Sequence, residues 1–105
     1  MNFHSEMKAE LTLDAVDSCG REGRPIEVGN SRLMAQVLHP ESIWYGFVVT
    51  AADEKDLLPG GTWTVKVAFL DDPGARQAIP RRASVLFGDG VCSRGVLIIG
   101  DEDSP

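Results

Sequence analysis

The side chains here best able to ligate a metal or attack as a nucleophile are Cys19, Cys92, His4 and His39. A zinc site gathers four such ligands in close pairs, C-x-x-C or its histidine equivalents, and none of these four lies within such a spacing of another. No metal and no cofactor is expected. A thiolate nucleophile needs a base beside it, and His39 is the imidazole available to either cysteine. The simpler expectation makes both cysteines small apolar residues, kept as thiols by a reducing cytosol, with a disulfide between them as the alternative.

Two runs of carboxylates, Asp53 to Asp56 and Asp71-Asp72, have the chemistry of a calcium site without its alternating ligand loop or closing glutamate. They read as solvated loops. The stretch FGDGVCSRG holds a G-x-G, but no helix pattern follows to offer amides and a dipole to a phosphate. No G-x-x-x-x-G-K-[ST] loop occurs in the chain. No catalytic residue is assigned, and the chain is expected not to be an enzyme.

What remains is recognition. Trp44 and Tyr45 are adjacent, so on a strand one faces the core and the other faces out, where an aromatic beside arginine suits a contact surface. The candidate partner-contact residues are Arg32, Trp44, Tyr45, Arg81, Arg82 and Arg94. A formal charge of −6 and a pI near 4.7 argue against nucleic acid, whose phosphates call for a basic face. The acid excess lies in the first half, and without the tail DEDSP the second half is slightly basic. The apolar runs VLII and FVV fall far short of the roughly twenty residues of a spanning helix, so no membrane role is expected. The start MNFHSEMKAE has neither the basic head nor the apolar stretch of a secretory signal, which makes the cytoplasm the expected location.

The elements that must position these residues are strands. Met7, Ala9, Leu11, Leu13 and Ala15 alternate with Lys8, Glu10, Thr12 and Asp14, the period of a half-buried strand. SCGREGRP is a loop, Ile26 and Val28 a short apolar pair, and GNS a turn before the strand RLMAQVL. After HPES comes SIWYGFVVTA, rich in β-branched and aromatic residues, with Gly46 marking a bulge or a close backbone approach. Pro59-Gly60 then turns the chain into TWTVKVAF, with Trp63, Val65, Val67 and Phe69 on one face; LLPGGTWTVKVAF as a whole reads as the hairpin that sets this strand's register. DDPG ends the strand, ARQAI is one helical turn, and Val85 to Phe87 with Val96 to Ile99 form a closing hairpin. At 105 residues the chain holds one domain, with its core in about residues 7 to 99 and a flexible acidic tail over 100 to 105.

The order AELTLDAV, GREGRPIEVGN, YGFVVTAADEKDLLPGGTWTVKVAFLDDP and IPRRASVLFGDGVCSRGVLII resembles the third, C-terminal β-barrel domain of elongation factor Tu and its small free-standing relatives. The places of that pattern are held by Gly20-Arg21, Pro25-Ile26, Gly46, Pro59-Gly60, Leu70 and the glycines Gly88, Gly90 and Gly95. The family's Tyr-Arg-Pro-Gln segment is replaced by Asn30-Ser31-Arg32-Leu33, and the guanine-nucleotide domain has no counterpart. The resemblance therefore implies the fold and a binding role without translation-factor activity.

The expected fold is all-β, a small closed antiparallel barrel of about six strands. The expected function is a non-enzymatic stand-alone binding module contacting a protein partner, with homo-oligomerisation through the face that sister domains would cover. Two alternatives are a small acidic immunity-type protein that neutralises a basic toxin, and a thiol-dependent enzyme.

Overall fold

The computed structural model describes residues 6–37 and 42–100. Within them run strands β1 (Met7–Leu13), β2 (Ile26–Glu27), β3 (Arg32–Val37), β4 (Ile43–Ala52), β5 (Asp56–Leu57) and β6 (Thr62–Phe69), helix α1 (Asp72–Ala78), and strands β7 (Ser84–Gly88) and β8 (Ser93–Ile99). Six strands close a barrel in the order β1-β6-β4-β3-β7-β8, with β8 returning to β1, and all six pairings are antiparallel. Closure removes the open edges of these six strands, which is how a small β-barrel protects itself from pairing with another. The closed six-stranded antiparallel barrel expected from the sequence is the fold. His4, His39 and the tail over 101–105 lie outside the described residues.

Alternation drives the closure. On β1 the buried Met7, Ala9, Leu11 and Leu13 point inward between exposed or half-exposed Lys8, Glu10 and Thr12. On β6 the buried Val65, Val67 and Phe69 do the same, with Trp63 packed partly against them. The interior centres on Phe47, whose ring lies 5.4 Å from Phe69 and 6.0 Å from Phe87, the second contact edge-to-face. Such pairs add about 1 kcal/mol each beyond the area they bury. On β4 a register shift between Val49 and Ala51 makes Thr50 the extra residue, so that Ala52 instead of Ala51 returns to the core.

Each end of the barrel has its own cover. Where β1 finishes, β2 and β5 pair as a separate ribbon that delivers Ile26 and Leu57, both fully buried. Where β1 begins, α1 delivers Ala75, and Ile79 follows at its C-cap. Asp71 caps α1 by accepting a hydrogen bond from the Gly74 N–H at 3.2 Å, and Pro73 sits in its first turn. The Asp-Asp-Pro-Gly sequence follows the end of β6, as expected, and also starts a helix of seven residues, where a later single turn was expected.

The Pro-Gly turn also differs from expectation. LLPGGTWTVKVAF is not a hairpin of its own, because β5 pairs with β2 while β6 pairs with β1 and β4. Gly60 takes φ of +90°, a left-handed conformation that suits glycine, and its N–H reaches the Leu13 carbonyl at 2.7 Å. Leu13 N–H in turn donates to Gly61 O at 3.0 Å, so the turn is docked on the end of β1.

Candidate functional site

With Leu33 and Ala35 buried inside, Arg32, Met34 and Gln36 make up the outward phase of β3. Two rows of residues cross the wall beside them. In one, Trp44 of β4 stands opposite Gln36, Gln36 opposite Leu86 of β7, and Leu86 opposite Val96 of β8. In the next, Met34 stands between Gly46 and Gly88. Leu70 lies over Gly46, its Cδ1 3.1 Å from where a Cβ would sit, and on the other side Gly90 abuts the Met34 sulfur.

The wall they form is apolar where water reaches it. Met34 and Leu86 are 39% and 40% exposed, Leu70 is 66% exposed, and Val91 on the bordering turn is 84% exposed. Trp44, Val48, Val96 and Ile98 are half-buried along the same strands. The opposite wall is polar. β1 and β6 turn Lys8, Glu10, Thr12, Thr62, Thr64 and Lys66 outward, with Thr12 and Thr62 hydrogen-bonded at 2.9 Å and Lys8 directly opposite Lys66. The outside of β4, β3, β7 and β8 thus carries an apolar band of Trp44, Val48, Met34, Leu86, Val96 and Ile98 interrupted by Arg32, Gln36 and Ser84, whereas β1 and β6 are polar outside. Clustering of this kind on one side of a small domain marks an interaction surface, where scattered single residues do not.

Of the residues singled out from the sequence, Trp44 and Arg32 lie on this wall, Arg32 opposite Val48. Tyr45 faces inward and packs against the core, as one of the adjacent aromatic pair must. Arg94, on β8, is half-buried, and its Nη2 donates to the Arg24 carbonyl at 2.7 Å. Burial pushes its guanidinium below the ordinary value, and nearby Arg24 adds to this while Asp89 and Asp17 oppose it. Arg81 and Arg82 stand at the far end of the barrel. Arg81 Nη1 approaches the Met7 sulfur at 3.8 Å, and Arg82, at φ of 65°, donates its N–H to Ile99 O at 2.7 Å. Met34, Leu70 and Leu86 were not singled out. Their signal was present in the runs LMA, VAFL and VLF, apolar on both phases where one face already fills the core.

The cysteines depart from expectation. Cys19 and Cys92 are joined in a disulfide with their Cα atoms 5.7 Å apart, so the described structure holds no free thiol. The fold accounts for this: the loop after β1 hydrogen-bonds to the β7–β8 turn through Ser18 N–H to Ser93 O at 2.9 Å and Ser93 N–H to Ser18 Oγ at 2.7 Å. Arg21 is held there by Asp17 at 3.3 Å and Asp89 at 3.5 Å, and its Nη2 donates to the Cys92 sulfur at 3.3 Å. The Arg21 N–H first, then the Cys19 N–H and the Arg21 charge, hold the Asp17 carboxyl below the usual range against the opposing effect of desolvation. The N–H groups of Cys92 and Val91 do the same for Asp89, with Arg21 assisting.

Among the described residues, no three of histidine, cysteine, aspartate and glutamate converge as metal ligands, and no helix is long and apolar enough to cross a membrane. Comparison of the chain with protein-family models, with curated proteins and with solved structures finds no match in any of the three.

Proposed function

We propose that this chain is a stand-alone β-barrel binding module, without catalytic activity, that contacts a protein partner through the outer wall of β4, β3, β7 and β8. One observation carries the reading: an apolar band of Trp44, Val48, Met34, Leu86, Val96 and Ile98 crosses the outside of these four adjacent strands, edged by Arg32, Gln36 and Ser84, while β1 and β6 present threonines and charges. Burying that wall against a protein returns hydrophobic free energy that the isolated barrel leaves unused, and Trp44 and Arg32 are residue types that anchor such contacts. The reading agrees with the resemblance to the third domain of elongation factor Tu, a barrel that packs against sister domains. A cytoplasmic setting and self-association through the same wall belong to this proposal.

The test is capture from a native lysate with three baits: the wild type, Leu86→Asp on the apolar wall, and Thr64→Asp on the polar wall. A partner retained by the wild type and Thr64→Asp but lost by Leu86→Asp supports the proposal. Equal retention by all three sinks it.

A second reading is an acidic protein that masks a basic partner. Glu27 and Asp56 stand directly opposite each other on the exposed ribbon, beside Asp53 and Glu54. Such a complex forms fast and weakens steeply with salt, whereas one formed by the apolar wall does not.

A further inference from the structure

The disulfide is asymmetric. Cys19 is exposed, whereas Cys92 is 3% exposed and lies in the Asp89–Cys92 turn under the guanidinium of Arg21. Thiol–disulfide exchange needs an accessible sulfur to attack and a sulfur able to leave as a thiolate, and the lower the leaving thiol's pKa, the faster it leaves. The two requirements fall on different cysteines here. Water and small solutes reach Cys19, while the Arg21 Nη2 donor 3.3 Å from the Cys92 sulfur is placed to receive negative charge. Asp17 holds that guanidinium in position through Nε, Asp89 shares the Nη2 donor with the Cys92 sulfur, and the two carboxylates offset part of its charge. Arg94 adds a second cation near both carboxylates.

We propose that Cys19 is a thiol-modification site at which a small cellular thiol of the glutathione type forms a mixed disulfide. The attacking thiolate bonds to Cys19 Sγ as the Cys19–Cys92 bond breaks. Both electrons of the broken bond leave with Cys92 as a thiolate, which Arg21 holds until solvent protonates it. Attack by a second thiolate on the mixed disulfide then releases the small-molecule disulfide and frees Cys19 as a thiol. The barrel survives this chemistry, because the loop after β1 keeps its hydrogen bonds from Asp14 N–H to Arg94 O at 2.8 Å and from Ser18 to Ser93. What changes is the turn that borders Met34 and carries the exposed Val91, at the rim of the apolar wall.

The experiment treats the oxidised full-length chain with reduced glutathione, quenches in acid at short times, alkylates, and maps both cysteines by mass spectrometry. The expected first product carries glutathione on Cys19 and the alkyl group on Cys92. Arg21→Gln is expected to slow its formation about fivefold, while Arg21→Lys retains part of the rate. Glutathione found first on Cys92, a rate indifferent to Arg21, or two alkylatable thiols in the untreated air-oxidised protein would each overturn the assignment. The mapping on the wild type stands even where a variant at Arg21 folds poorly.

Discussion

Gly95 lies beneath Phe87: a Cβ placed on it would sit 2.8 Å from the ring's Cε1 and 1.9 Å from the Thr12 carbonyl oxygen. The first neighbour is a core ring able to shift a little, but the second is backbone paired in the β1–β8 ladder and has nowhere to go. Gly95→Ala is therefore expected to destabilise the protein by about 3 kcal/mol through overpacking, lowering Tm by roughly 15 °C. Thermal unfolding followed by circular dichroism checks this. A variant that melts with the wild type would show that the wall is not closed at this point.

The disulfide spans 73 residues of sequence, and a cross-link over so long a loop restricts the unfolded chain strongly. Replacing both cysteines by serine should cost about 2–5 kcal/mol, read from urea unfolding of the two proteins. Adding a strong reductant to the wild type should bring its midpoint to that of the double variant. The variant itself should keep near-native secondary structure, since the six-strand closure does not depend on the bridge.

Asp17 and Asp89 both carry carboxyls held below their ordinary value of 3.8 by hydrogen bonds that favour the ionised form. A carboxyl whose folded pKa is depressed adds stability above its unfolded pKa and loses it as pH falls through the folded value. Stability should therefore decline on acidification below about pH 4, beginning near the unfolded carboxylate value. Asp89→Asn should be less stable than the wild type at pH 7 and should show a shallower acid decline. Denaturant midpoints measured from pH 7 to pH 2.5 test the sign, and a decline as steep in the variant as in the wild type would remove Asp89 from the explanation.

Leu86 stands between Gln36 and Val96 with its side chain 40% exposed, so its contribution to the core is small. Leu86→Asp should leave folding stability within about 0.5 kcal/mol of the wild type. The same change should abolish any self-association that light scattering detects at high concentration. Undiminished self-association in the variant would place the contact elsewhere on the barrel.

Most of the barrel's strands were legible in the chain, whereas of its apolar wall only Trp44 and Arg32 were. Strict alternation along β1 and β6 exposes the strand period and its inward phase directly, and Pro59-Gly60 announces a turn whatever it docks against. Local pattern misled where one signal serves two geometries. Asp-Asp-Pro-Gly ends β6 as expected and also caps a helix, and α1 runs to seven residues because Ala75 and Ile79 find an open barrel end to fill.

From residue order alone came the fold class, the approximate number of strands and the side of each that faces the core, because side-chain direction along a strand follows from backbone geometry. Tertiary structure alone decided three things: that the two-faced apolar runs of β4, β7 and β8 adjoin around one wall, that β5 leaves its neighbour to pair with β2, and that Cys19 meets Cys92. These are relations between segments distant in sequence. Their outcome depends on the order and register in which the strands close, and no local spacing encodes that.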